Sequence, residues 1–212
     1  MDERLTDLTV RRLVERLATS DPVPGGGSAA ALAGAMGAAL VRMVVELTVG
    51  RPAAEGHAEE LSEIGVAASG WQSELLNLAE LDATAYDAVV RARRLPRDSE
   101  LDKRTRDTQV AAAVREATRA PLATARVANE VLALADRLAP IGNRNAVSDV
   151  GVAALLAVAA IRGAAMNVEI NLPSLPADEP LRSDAADEIG ALLVGLDERE
   201  RAVRSAVEDR LR

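Results

Sequence analysis

The chain has 212 residues and a net charge of −8, with no cysteine or phenylalanine and one each of histidine, lysine, tyrosine and tryptophan. Those scarcities exclude disulfides, thiol nucleophiles and thiolate metal sites, and they argue against a Ser-His-Asp triad. An acidic chain with so few rings also offers neither a phosphate-binding surface nor a stacking platform for nucleic acid.

The N-terminal segment MDERLTDL is acidic and polar, unlike a signal peptide, so a cytoplasmic protein is expected. A first helix is predicted over about residues 5–18, with Leu5, Leu8, Leu13 and Leu17 on one side. Pro22 and Pro24 then exclude helix, and Gly25, Gly26 and Gly27 supply backbone freedom. Ser28 is placed to cap the next helix. The free N–H groups of that helix start offer a seat for an anion. PGGGS lacks the lysine and spacing of a P-loop, and no strand precedes it. A tight turn that lets two helices pack closely is an equally weighted reading.

The following helix runs to about residue 49 and carries small residues at Ala30, Gly34, Gly37 and Ala38. Gly50, Arg51 and Pro52 break it. A long helical stretch then spans about residues 55–95, up to Pro96. His57, in EGHAEE, reads as a solvated surface residue. Asp82, Tyr86 and Val89 share one helical face, so Asp82 is either an ordinary surface acid or faces a cleft beside Tyr86. Arg91, Arg93, Arg94 and Arg97 form a solvated helix end or a seat for an acidic ligand.

Another helical stretch covers about residues 99–138, where Pro121 predicts a kink or break. After a turn at 139–145, Ser148 is expected to start a second alanine-rich helix reaching about residue 170. Asn143, Asn145, Ser148 and Asp149 cluster at its start, and Asn167 and Asn171 lie one turn apart at its end. A loop at 171–178 precedes one amphipathic helix bearing Ile189, Leu192, Leu193, Leu196 and Val203. The two alanine-rich segments carry Arg42, Glu46, Asp149 and Arg162, and so read as buried core helices rather than membrane spans. The fold class is all-α: one domain over residues 1–212, an elongated antiparallel bundle of long helices.

Four segments, in this order, resemble the cyclodeaminase/cyclohydrolase family of folate enzymes. They are PGGGSAAALAGAMGAALVRMVVELTVG (24–50), DATAYDAVVRARRLP (82–96), APLATARVANEVLALA (120–135) and GNRNAVSDVGVAALLAVAAIRGAAMNVEINLPSL (142–175). The resemblance implies an all-α bundle that assembles as a homodimer or a larger oligomer. One departure concerns the segment after Gly50, where the family typically has several lysines and a tyrosine. Here Arg51, Pro52, Ala53 and Ala54 follow.

What the resemblance implies about chemistry is a tetrahydrofolate derivative as substrate, with no cofactor and no metal. In the lead expectation, N10 of 5-formimino-tetrahydrofolate attacks the formimino carbon, ammonia leaves, and 5,10-methenyl-tetrahydrofolate forms. The alternative is hydrolysis of the methenyl compound to 10-formyl-tetrahydrofolate, and a further one is a non-catalytic oligomer on the same scaffold. Positioning supplies much of the rate, and one carboxylate of raised pKa moves the protons. Asp149 is the first choice for that carboxylate and Asp82 the second. Gly25, Gly26, Gly27, Ser28, Tyr86, Asn143, Asn145, Ser148, Asn167 and Asn171 are the expected substrate-binding residues.

Overall fold

Four long helices form the body of a computed structural model that describes residues 3–212. They are α2 (Gly26–Thr48), α3 (Ala58–Arg93), α4 (Glu100–Leu138) and α5 (Val147–Asn171). Each packs on its neighbours in a ring, α2 against α3 and α5, and α4 against α3 and α5. Among the described residues there is no strand. At about 1.5 Å per residue, α4 alone is roughly 58 Å long, so the bundle is elongated as expected.

Small residues set the closest packing. A Cβ at Gly34 would lie 3.3 Å from that of Ala160, one at Gly37 3.0 Å from the Ala153 carbonyl, and one at Gly163 3.1 Å from the Ala30 methyl. As position rises along α2, the partner on α5 falls, so the pair is antiparallel. α2 and α3 are also antiparallel, with Ser28 beside Asp82 and Arg42 beside Ser69. The core between them is aliphatic and alanine-rich: Val41, Val44, Leu61, Ile64, Leu75, Leu132, Leu138 and Ile161 have no exposed surface. Gly26–Thr48 and Arg144–Ser174 are long and apolar enough to cross a membrane by length and composition alone. Burial of 56% and 50% of their apolar windows makes them core helices of the bundle.

The minor elements differ from expectation at both ends of the chain. The first predicted helix is two pieces, a 3-10 turn at Leu5–Asp7 and α1 (Val10–Leu17), which Thr9 caps through Arg12 N. The last is also two, α6 (Pro180–Leu193) and α7 (Leu196–Leu211). Gly195 between them has φ +67°, a left-handed conformation that glycine adopts without strain. α6 covers α4 and α5, and α7 covers α5.

Pro121 does not break its helix. α4 runs through it without interruption. Proline has no N–H to give the Ala117 carbonyl, four residues back. The Asn171 side-chain nitrogen donates to that carbonyl instead, at 2.8 Å. The vacancy in α4 is filled from the end of α5.

Candidate functional site

At one end of the ring, the start of α2 meets the middle of α3 and the end of α5. Gly25 is the N-cap of α2, and Gly26, Gly27 and Ser28 form its first turn. Ser28 does not cap this helix, contrary to expectation. Its hydroxyl leaves α2 altogether and reaches α3, 2.9 Å from Asp82 Oδ2 and 3.1 Å from the Ala79 carbonyl oxygen.

The protein's own carboxylate therefore lies against this helix start, where an anion seat was expected. Glycine makes that possible: a Cβ at Gly27 would fall 2.6 Å from the Asp82 carboxyl carbon. Desolvation by burial pushes the Asp82 carboxyl above the ordinary carboxylate range, while the hydrogen bonds from Ser28 pull it down less strongly. A half-buried carboxylate whose pKa is raised by burial, beside a helix N-terminus, is suited to take up and release a proton.

Asn167 stands on the far side of the same glycines. A Cβ at Gly26 would lie 3.5 Å from its Nδ2, which donates to the Gly163 carbonyl at 2.8 Å. Its Oδ1 lies slightly further from the same point, at 3.9 Å. Tyr86 is one turn beyond Asp82 on α3 and is 43% exposed, whereas Val89, predicted on the same face, is buried. The structure thus gathers Gly25, Gly26, Gly27, Ser28, Asp82 and Asn167, with Tyr86 at the rim.

The other candidates lie elsewhere. Asp149 is half-buried in the first turn of α5, eighteen residues and about 27 Å along the helix from Asn167. It does not join Asp82. Ser148 is exposed, and α5 begins at Val147 behind Ala146 with no side-chain cap, so Ser148 does not start the helix as expected. Asn143 is a buried joint: its amide nitrogen donates to the Leu47 carbonyl at 2.8 Å and its backbone N–H to Thr48 Oγ1 at 2.8 Å. Its Oδ1 accepts from the Asn145 backbone N–H at 3.0 Å. Asn171, as shown above, serves the carbonyl freed by Pro121. The altered segment after Gly50 is at this far end too, with a 3-10 turn at Pro52–Ala54.

Sequence reasoning missed the Ala79 carbonyl and the part played by Thr48. Neither leaves a signal in the sequence, because a backbone acceptor is present at every residue and a lone threonine is common in helices.

The comparisons with known proteins agree with the resemblance. The formiminotransferase-cyclodeaminase family matches residues 9–191. The chain is 40% identical to a methenyltetrahydrofolate cyclohydrolase of Methylorubrum extorquens, over 87% of this chain and 88% of that protein. It is 31% identical to the formimidoyltransferase-cyclodeaminase of Sus scrofa, over 91% of this chain but only 35% of that longer protein. A crystal structure of formiminotetrahydrofolate cyclodeaminase from Thermotoga maritima superposes with a TM-score of 0.85 at 27% identity, covering 97% of this chain and 98% of that one.

Proposed function

The chain belongs to the formiminotransferase-cyclodeaminase family, and from that premise we propose that it is a methenyl-tetrahydrofolate cyclohydrolase. Likeness over nearly the full length of a cyclohydrolase of comparable size carries this reading. It reverses the order expected from sequence alone, where the deaminase led.

Asp82 is the acid–base group in this mechanism. Its carboxylate faces the cationic N5–C–N10 unit of the methenyl substrate and offsets that charge. Water adds to the bridging carbon and gives one proton to Asp82, forming a neutral hydroxy adduct. Asp82 returns the proton to N5 as the C–N5 bond breaks. The carbon remains on N10 as a formyl group, and the hydroxyl proton passes to solvent. The Asn167 side-chain amide and Tyr86, one turn beyond Asp82, are the polar groups of this cluster assigned to the pterin.

A second reading is favoured by the superposition on the Thermotoga protein: cyclodeamination of 5-formimino-tetrahydrofolate. With the formimino nitrogen already protonated, N10 attacks its carbon, the same carboxylate takes the N10 proton and passes it to the resulting amino group, and ammonia leaves as the methenyl cation forms. Purified protein offered each folate in turn distinguishes the two. Accelerated loss of the methenyl absorbance supports the hydrolase. Growth of that absorbance from the formimino compound, with stoichiometric ammonia, supports the deaminase. Asp82→Asn is expected to cost more than about a hundredfold in kcat, some 2.7 kcal/mol of barrier, and to cost more than Asp149→Asn. The opposite ranking moves the reaction to the other end of the bundle.

A further inference from the structure

We propose that Ser28 is a positioning residue for the reaction, a hydroxyl switch that gives Asp82 a matched partner in both of its protonation states. The proposal rests on Asp82 being the acid–base group.

The observations are geometric. Ser28 has no exposed surface. Its oxygen stands within hydrogen-bond distance of two acceptors, Asp82 Oδ2 at 2.9 Å and the Ala79 carbonyl at 3.1 Å. A hydroxyl has one proton, so it donates to one acceptor at a time, and its lone pairs are free to accept. With Asp82 ionised, the Ser28 proton points to Oδ2. With Asp82 protonated, the carboxyl O–H donates to Ser28 Oγ, and the Ser28 proton turns to the Ala79 carbonyl. No buried polar atom is stranded in either arrangement. Ala79 precedes Asp82 by three residues on the same helix, so both acceptors are held on one rigid element. The absent side chain at Gly27 lets α2 bring the hydroxyl this close.

Capping does not account for Ser28, because its oxygen makes no bond to its own helix start. During turnover the Ser28 proton rotates but never leaves its oxygen. The transferred proton goes from water to Asp82 and then to N5. Without the hydroxyl, the ionised form loses a donor and the protonated form loses an acceptor. The groups facing Asp82 across the helix joints, Ser28 and Gly27 on α2 and Asn167 beyond Gly26 on α5, carry no charge. On α3 itself, Glu80 accepts from Thr6 at 2.8 Å, and Asp87 pairs with Arg91 at 3.2 Å, more than a turn further on.

The test is the pH dependence of kcat/KM in the full chain, for the native protein and Ser28→Ala, with whichever of the two folates it turns over. Ser28→Ala is expected to lower kcat about tenfold or more, to leave KM within about twofold, and to move the acidic limb to higher pH. Ser28→Thr, which keeps the hydroxyl, is expected to return the limb to its native position. A 13C titration of the Asp82 carboxyl, assigned by its loss in Asp82→Asn, reads the same upward shift without turnover. It decides the matter even where the threonine variant does not fold. An unmoved limb and an unmoved carboxyl titration in Ser28→Ala overturn the proposal while leaving Asp82 in its role. Native turnover by Asp82→Asn instead removes the assignment on which the proposal rests.

Discussion

Glycine at position 27 determines whether a carboxylate can lie against the first turn of α2. Gly27→Ala would force its Cβ into Asp82, so it is expected to cost about 1–3 kcal/mol of stability and to lower kcat by about tenfold or more. Thermal melts and steady-state rates measure both. Asp82 itself is held at a cost to the fold. Its pKa is raised on folding, so the native state binds this proton more tightly than the unfolded chain. The resulting stability is fully present below the unfolded value and is lost as pH rises through the folded value. Asp82→Asn should therefore melt at or above the native temperature near pH 7, with the difference shrinking as the pH falls toward the ordinary carboxylate range. A lower melting temperature at neutral pH would contradict this. Three consecutive glycines before a serine and an aspartate beside the only tyrosine were visible in the sequence, and they mark this cluster. Ser28 was misread because a serine at a helix start looks the same whether it caps that helix or reaches another. Asp149 was ranked first because a first-turn acid on a dry helix resembles a site, and only the helix length separates it from the rest.

Among the elements, α4 shows how tertiary structure overrides a local rule. A proline in the middle of a helix predicts a kink or a break, and here the helix does not break: another element supplies the missing donor. Asn171→Ala should cost about 1 kcal/mol by leaving the Ala117 carbonyl without that donor. The cost should shrink when Pro121→Ala restores the backbone N–H, a coupling that a double-mutant cycle in urea measures. Equal costs in both backgrounds would show that Asn171 does not serve α4. The four long helices were legible from periodicity, with boundaries within three residues for α2 to α5, since runs of that length leave little ambiguity. The splitting of the first and last helices was not. Leu5 packs through a 3-10 turn, and the turn at Val194–Gly195 depends on how α6 and α7 dock on α4 and α5, which no local pattern records.

For the whole molecule, the antiparallel ring places the Gly26–Ser28, Asp82 and Asn167 cluster at one end of α2 and α5, and the Asn143 joint and Asp149 at the other. Between them, α1 and the outer side of α2 line an apolar groove of about 430 Å³, bordered by the exposed Val10, Val14, Leu17 and Met36. The homo-oligomer that the family resemblance implies is expected to sediment as a dimer or larger species at micromolar concentration. A native monomer would contradict that assembly. The family was legible because its motifs are long and spread over most of the chain. The reaction was not, because hydrolase and deaminase take closely related tetrahydrofolate ligands and need the same proton-moving group. Turnover of methenyl-tetrahydrofolate by the native chain and by Asp82→Asn, side by side, tests the central claim most directly. The account predicts loss of the methenyl absorbance well above the uncatalysed rate, yielding 10-formyl-tetrahydrofolate, and a return to that uncatalysed rate in the variant. No acceleration by the native protein, or equal acceleration by both, would contradict it.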